Sequence, residues 1–162
     1  MIIKEAERID VPDMREIFNE VIRNSNSIYR ESEVSLEDRY TWYDEKIDAG
    51  FPIFGAYEES KLIGYASYGP WRSAQGYSKT VEHTIHIDNR FRGSGIGSKL
   101  MQNIIERATE DGYHVMIGAI DSENQRSIDF HKRFGFIEVA LMPEVALKHG
   151  KWLTLIFMQK QL

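Results

Sequence analysis

The segment Arg90-Phe91-Arg92-Gly93-Ser94-Gly95-Ile96-Gly97 carries the sharpest chemical signal in the chain, with three glycines within five residues. It lies between an expected strand and an expected helix start. Glycines there let the backbone turn tightly and aim its N–H groups at one locus, and a helix N-terminus adds the positive end of its dipole. That chemistry suits a phosphate or pyrophosphate, with Arg90 and Arg92 as nearby cations. A glycine-rich turn that holds nothing is the plain alternative. Two familiar phosphate loops do not fit. A Walker A loop ends in Gly-Lys-Ser/Thr, whereas Gly97 is followed by Ser98 and then Lys99. The dinucleotide fingerprint is one residue longer, and a mid-chain start leaves no room for the second half of such a domain.

Upstream, Val81, His83, Ile85 and Ile87 alternate with Glu82, Thr84, His86 and Asp88. On a strand these sets face opposite ways, so Glu82, Thr84 and His86 share a polar face. His83 and His86 therefore cannot chelate one metal ion. His114 opens a strand and His149 sits in a turn, and no two-His-plus-carboxylate set stands out, so no metal is expected. Cysteine is absent, which removes disulfides, Cys-ligated zinc, iron–sulfur clusters and a Cys nucleophile. No G-x-S-x-G motif is present, and Ser94 reads as small rather than reactive. Arg72 lies in the loop before the Glu82 strand. It could clamp a carboxylate or phosphinate bidentately, or pair with a surface acid. Tyr29 and Trp71 could line the same pocket or pack as a lid.

The elements that must position these groups follow from periodicity and turn residues. Met1 to Ala6 reads as a strand. Asp10, with Asp13 three residues on, caps a helix with Met14, Ile17, Phe18, Val21 and Ile22 on one face. Asn24 to Ser27 is a loop. Ser35 caps a second helix with Leu36, Tyr40, Tyr43 and Ile47 on one face, ending near Gly50. Phe51–Glu58 and Lys61–Tyr68 form a hairpin turning at Glu59-Ser60. After a loop from Gly69 to Gly76 comes the strand Lys79–Asp88. The glycine segment opens a helix with Ile96, Leu100, Met101, Ile104, Ile105 and Ala108 as its stripe, ended by Gly112. His114–Ile120 is a central strand, Asn124–Arg133 a short helix with Gly135 at its C′ position. Strands Ile137–Leu147 and Trp152–Gln159 close the chain around a turn at Lys148 to Lys151. The order βααβββαβαββ predicts one α/β domain over residues 1–162 with a mixed sheet.

The 162 residues are one domain's worth, 42% apolar, with a formal net charge of −5. Such an acidic balance disfavours a broad nucleic-acid face. No run approaches the ~20 apolar residues of a membrane span, and the first ten residues lack a signal-peptide core. A soluble, cytoplasmic protein is expected.

The chain resembles the Gcn5-related N-acetyltransferases (GNAT family). Arg-x-x-Gly-x-Gly at Arg90, Gly93 and Gly95, opening a helix after a long strand, is similar to that family's acetyl-CoA loop. Asn124 to Phe136, an Asn followed by a short helix and Gly-Phe, is similar to its second signature. More narrowly, YASYGPWR (Tyr65 to Arg72), TVEH (Thr80 to His83), RGSGIG and GKWLTLIFMQ (Gly150 to Gln159) are similar to the phosphinothricin and methionine-sulfoximine acetyltransferase branch.

The resemblance implies a mixed, mostly antiparallel central sheet flanked by helices, and acetyl-CoA as co-substrate. Backbone groups of Gly93, Ser94, Gly95, Ile96, Gly97 and Ser98 would hold the CoA pyrophosphate, with Arg92 beside them. Ile85-His86-Ile87 would pair with the pantetheine arm, one N–H polarising the thioester carbonyl, and Asn124 would hydrogen-bond the arm. Amine attack needs a neutral amine, so Glu82 would accept its proton; the plain alternative is an exposed-edge glutamate, or one that only binds the substrate ammonium. Many members place a Tyr seven residues after the Asn to reprotonate the thiolate. Here His131 stands there, as a general acid or as a structural hydrogen-bonder. Arg72, Ser73 and Ala74 would line the acceptor pocket. Near branch members often have Pro and an aromatic at the last two positions, so the acceptor stays open. The first reading is an N-acetyltransferase of a small amino-acid-like amine such as phosphinothricin or methionine sulfoximine, in a chain that could pair as a homodimer. The alternatives are a polyamine or protein acceptor, and a non-catalytic CoA- or nucleotide-binding module.

Overall fold

The computed structural model describes residues 1–162. The chain forms β1 (Ile2–Glu5), α1 (Val11–Asn24), α2 (Leu36–Asp48), β2 (Ile53–Glu58), β3 (Lys61–Pro70), β4 (Thr80–Ile87), α3 (Ile96–Glu110), β5 (Val115–Asp121), α4 (Gln125–Arg133), β6 (Ile137–Lys148) and β7 (Lys151–Gln161). The element order is the one the periodicity predicts. A single seven-stranded sheet runs β1-β2-β3-β4-β5-β7-β6, antiparallel except where β4 lies parallel to β5.

Two apolar clusters cover the two faces of the sheet. Val11, Met14 and Ile17 of α1 and Tyr43 of α2 pack on Ile53, Tyr57, Leu62 and Tyr65. On the other face, Leu100, Met101 and Ile104 of α3 and Ile128 of α4 pack on Ala66, Val81, Met116 and Met158.

The parallel pairing that matters most is short. It joins Thr80, Val81 and Glu82 to Val115, Met116 and Ile117 and then stops. β4 continues along β3 as far as Ile87, and β5 continues along β7 as far as Asp121. The two central strands thus fork after Glu82, leaving one edge of each unpaired in the middle of the sheet.

Three local expectations need correction. Asp10 does not cap α1. Its Oδ2 accepts from the Glu7 N–H at 2.8 Å and from the Tyr57 hydroxyl at 2.5 Å, and α1 makes no side-chain cap bond there. The apolar stripe of α2 is rotated: Leu36 and Ile47 are exposed, while Arg39 is buried with Tyr43. Burial of Arg39 is tolerated because its guanidinium stacks 3.7 Å from the Trp42 ring centre and 4.2 Å from that of Phe18. Lys148 is not a turn lysine. It ends β6 buried, and its ammonium donates to the carbonyls of Ile22, Ser25 and Ile28 at 2.7–3.0 Å, tying the α1–α2 loop to the sheet. The Ser35 cap stands as expected: its Oγ accepts from the Asp38 N–H at 3.0 Å, and Asp38 bonds back to Ser35.

Candidate active site

The glycine segment runs from the end of β4 to the start of α3. Gly93 and Gly95 take φ values of +87° and +86°, where a side chain would be strained. The N–H groups of Gly93, Gly95, Ile96, Gly97 and Ser98 donate to no group in the chain. Ser94 turns inward, its N–H and Oγ both directed at the Phe91 carbonyl. Gly97 is a packing glycine, since a Cβ there would meet Ile87 at 3.1 Å. Unpartnered N–H groups at the start of a fifteen-residue helix make an anion cradle.

The arginines expected beside this cradle are engaged elsewhere. Arg90 binds Asp88. Arg92 reaches back to Glu20 of α1 at 2.7 Å and to the Ile87 carbonyl at 3.3 Å. The cation that does lie over the loop is Arg126 of α4, whose Nη2 is 3.6 Å from the Cβ position of Gly93. Arg126 has no acidic partner within the chain. Its place in the second signature was visible in the sequence; its proximity to Gly93 was not.

Strand alternation shows which peptides face the fork. The Asp88 N–H donates to Ile63 of β3. Every second residue of an antiparallel strand turns its peptide groups the same way, so Ile85 and Ile87 point theirs away from β3, toward the fork. Arg92 takes the Ile87 carbonyl, and Ile85 presents an open N–H and C=O. The His86 side chain goes to the opposite packing. It meets Phe18 edge-on and Tyr65 at a tilt, each at 5.4 Å, and burial with nearby Arg39 and Arg92 pushes its pKa down to about 3.

Glu82 stands at the crotch of the fork, half-buried on the α1–α2 side, with exposed Thr84 next on that face. Burial raises its pKa, and the Lys46 ammonium partly offsets that rise. After Gly69, the cross-strand partner of Glu82, the chain leaves β3 through Trp71 to Ala74. Arg72, Ser73 and Ala74 are all exposed. Arg72 lies over the Trp71 ring at 4.9 Å and has no acidic partner. Trp71 itself packs on Tyr77 and Phe157.

His131 lies on the other side of the sheet. Its Nδ1 is 2.7 Å from the Ser127 carbonyl, and its Nε2 is 3.0 Å from Nε2 of His83. A carbonyl only accepts, so Nδ1 carries the proton and Nε2 accepts from His83. His83 is then left with a bare, buried Nδ1, which has no partner. Burial pushes His83 down to about 3 and His131 below its ordinary value, so both rings are neutral. The stacked pair fills the space over Gly118 of β5, where a Cβ would lie 3.0 Å from each Nε2. The structure therefore engages both nitrogens of His131 and spends its one N–H on the Ser127 carbonyl rather than on the fork. Asn124 caps α4 by accepting from the Ser127 N–H at 3.1 Å, and its amide reaches Ser27 at 3.4 Å. No group of three or more His, Asp or Glu side chains is placed to hold a metal ion.

Residues 12–136 match the acetyltransferase (GNAT) family. The chain belongs to that family. It is 42% identical to an L-methionine sulfoximine/L-methionine sulfone acetyltransferase of Pseudomonas aeruginosa, over 99% of this chain and 94% of that protein. The crystal structure of a ribosomal-protein-alanine N-acetyltransferase from Brucella melitensis superposes with a TM-score of 0.98 at 38% identity, covering both chains fully. A phosphinothricin acetyltransferase from Sinorhizobium meliloti, solved with acetyl-CoA, gives a TM-score of 0.96 at 31% identity, over 99% of this chain and 88% of that one. The GNAT assignment makes the protein an acetyl-CoA-dependent N-acetyltransferase. The residues present fit that co-substrate: an unpartnered N–H cradle with Arg126 above it, leading into a fork with an open strand edge.

Proposed function

We propose that this GNAT enzyme acetylates the α-amino group of a small amino-acid-like compound with an anionic or polar tail, of the methionine sulfoximine and phosphinothricin type. The observation that carries this reading is Arg72, an exposed guanidinium without an acid partner, on the loop that leaves β3 beside the Glu82 pair. Such a group suits bidentate capture of a carboxylate, phosphinate or sulfoximine, with Ser73 and Ala74 as neighbours small enough to admit it. The activities of the Pseudomonas and Sinorhizobium relatives support it.

Bound acetyl-CoA supplies an activated acetyl thioester. The cradle from Gly93 to Ser98 holds its pyrophosphate, and the Ile85 to Ile87 edge lies along its arm. The Ile85 N–H, which points into the fork, would stabilise charge developing on the thioester oxygen. Asn124 positions the start of α4 against the arm. Glu82 takes a proton from the substrate ammonium, so that the amine attacks as the free base. Proton return to the thiolate by His131 requires the His83 bond to open and the buried ring to gain charge, which makes it the smaller contributor. The enzyme acts as a homodimer in the cytoplasm; the cysteine-free sequence fits a reducing compartment, and no helix is long and apolar enough to cross a membrane.

The Brucella relative favours a second reading, in which the acceptor is a protein N-terminus. Comparison of kcat/KM for methionine sulfoximine, phosphinothricin, spermidine and an alanine-initiated peptide decides between them. The expected result is a preference for the first two, with Arg72→Ala raising KM chiefly, because it removes binding shared by ground and transition states. A wide preference for the peptide or polyamine, untouched by Arg72→Ala, overturns the small-acceptor reading.

A further inference from the structure

Lys46 enters no ion pair, yet it is half-buried against β3, the strand paired with the one that carries Glu82. Its ammonium donates to the Tyr68 carbonyl at 2.7 Å. A Cβ built on the next residue, Gly69, would lie 2.7 Å from the same nitrogen. Gly69 is the cross-strand partner of Glu82, and the side chains of such partners leave the sheet on the same face with Cβ atoms about 4.5–5.5 Å apart. The ammonium therefore fills the seat of a missing Gly69 side chain, next to the position from which the Glu82 side chain leaves the sheet, without closing an ion pair to its carboxylate. Glycine at 69 is needed for this close approach.

The other groups facing Glu82 cannot play the part. β3 offers only Gly69, and β5 offers Ile117, which is apolar. Asp121, further along the same face of β5, is held 2.6 Å from the Tyr29 hydroxyl. Arg39, two turns before Lys46 on α2, is turned into Trp42, Phe18 and Tyr65. Arg72 is exposed to solvent. The two partners also report on one another: burial and Arg39 push Lys46 down to about 8 while Glu82 pulls it back up, and Lys46 opposes the rise that burial imposes on Glu82.

We propose that Lys46 is a positioning residue for proton transfer: seated on Gly69, its ammonium keeps the half-buried Glu82 carboxylate ionised and ready to accept the proton of the incoming amine. The proposal rests on Glu82 being the base. It also explains why a half-buried cation on an acidic protein's helix has only a carbonyl to bond.

Lys46→Met keeps most of the apolar stem and removes the charge. Gly69→Ala keeps the lysine and evicts its ammonium from the seat. Both should move the acidic limb of the kcat/KM profile upward by roughly one pH unit, the lower end of what an adjacent opposite charge does, with about tenfold loss of rate below that limb. Lys46→Arg should restore much of the limb. In parallel, the carboxyl titration of Glu82 is followed by NMR in protein carrying ¹³C-labelled glutamate, assigned by its loss in Glu82→Gln. Upward movement of both the titration and the limb supports the proposal. An unmoved Glu82 titration in folded Lys46→Met and Gly69→Ala overturns it, and any uniform rate loss is then structural. If the titration moves but the limb does not, and Glu82→Gln keeps the wild-type rate and profile, the coupling is real but Glu82 is not the base, and the proposal falls with that reading.

Discussion

A carboxylate that must accept a proton works only while it is ionised, and burial works against that. Glu82, the proposed base, illustrates the conflict. Glu82→Gln should lower kcat/KM by roughly 10²–10⁴, the range for loss of a general base, and remove the acidic limb. The same substitution should stabilise the fold at neutral pH. The folded pKa of Glu82 is raised by burial, so its contribution to stability is present at acid pH and lost as pH rises through that value. Melting temperatures of Glu82→Gln and wild type should therefore differ at pH 7 and converge in acid; a lower Tm at pH 7 contradicts this. The histidine pair runs the other way. His83 is depressed to about 3 and His131 is also lowered, by burial. Their stability is present above the unfolded value of about 6.5 and is lost as pH falls toward the folded values. Urea midpoints measured from pH 7 down to pH 4 should fall, and fall less steeply in His131→Phe, whose loss of activity should be smaller than that of Glu82→Gln. The polar face of β4 was legible in its alternation, and Glu82 with it. The His83–His131 pair was not, because its partners stand 48 residues apart and each looked like an isolated histidine.

The glycine segment and α3 form one unit, and its geometry was readable because glycine spacing and a helix start are local features. Which cation serves them is not local. Arg92 sits inside the segment but is captured by Glu20, 72 residues away; Arg126 arrives from α4. The same limit explains the other departures. Asp10 had the right type and spacing for a cap, but Tyr57, 47 residues on, takes its carboxylate. The face of α2 was misjudged because an arginine among aromatics can be buried, which a hydrophobic stripe does not reveal. Two expectations follow for this unit. Gly95→Val forces a side chain into a left-handed position, at a cost of about 1–2 kcal/mol, and places bulk where nothing now lies within 4 Å. Calorimetry should show acetyl-CoA binding lost while circular dichroism stays native. Arg126→Ala should weaken acetyl-CoA severalfold and reduce the salt dependence of binding, whereas Arg92→Ala should chiefly destabilise the α1 contact. Equal affinities for wild type and Arg126→Ala would remove Arg126 from the cradle.

The sheet ends on β6, and that edge shapes what the whole molecule can do. Ile137, Val139, Leu141, Met142, Val145 and Leu147 are all exposed along it, with Trp152 opposite on β7. A twelve-residue edge strand with apolar side chains on both faces is a liability in a monomer. Main-chain pairing with a second copy is discouraged, because the β6–β7 register slips twice and Glu144 takes a φ of +52° at the second slip. Irregularities of that kind twist an edge away from partners. The proposed homodimer therefore forms through side chains, as a two-fold contact in which each copy offers the same patch. Leu141→Glu puts a charge in the middle of the patch, with β7 between it and the β5 side of the fork. Light scattering coupled to gel filtration should show a dimer for wild type and a monomer for Leu141→Glu, with the monomer still binding acetyl-CoA through its own cradle. A wild-type protein that stays monomeric at tens of micromolar, or a Leu141→Glu protein that stays dimeric, would place the contact elsewhere and leave the exposed strand without a partner.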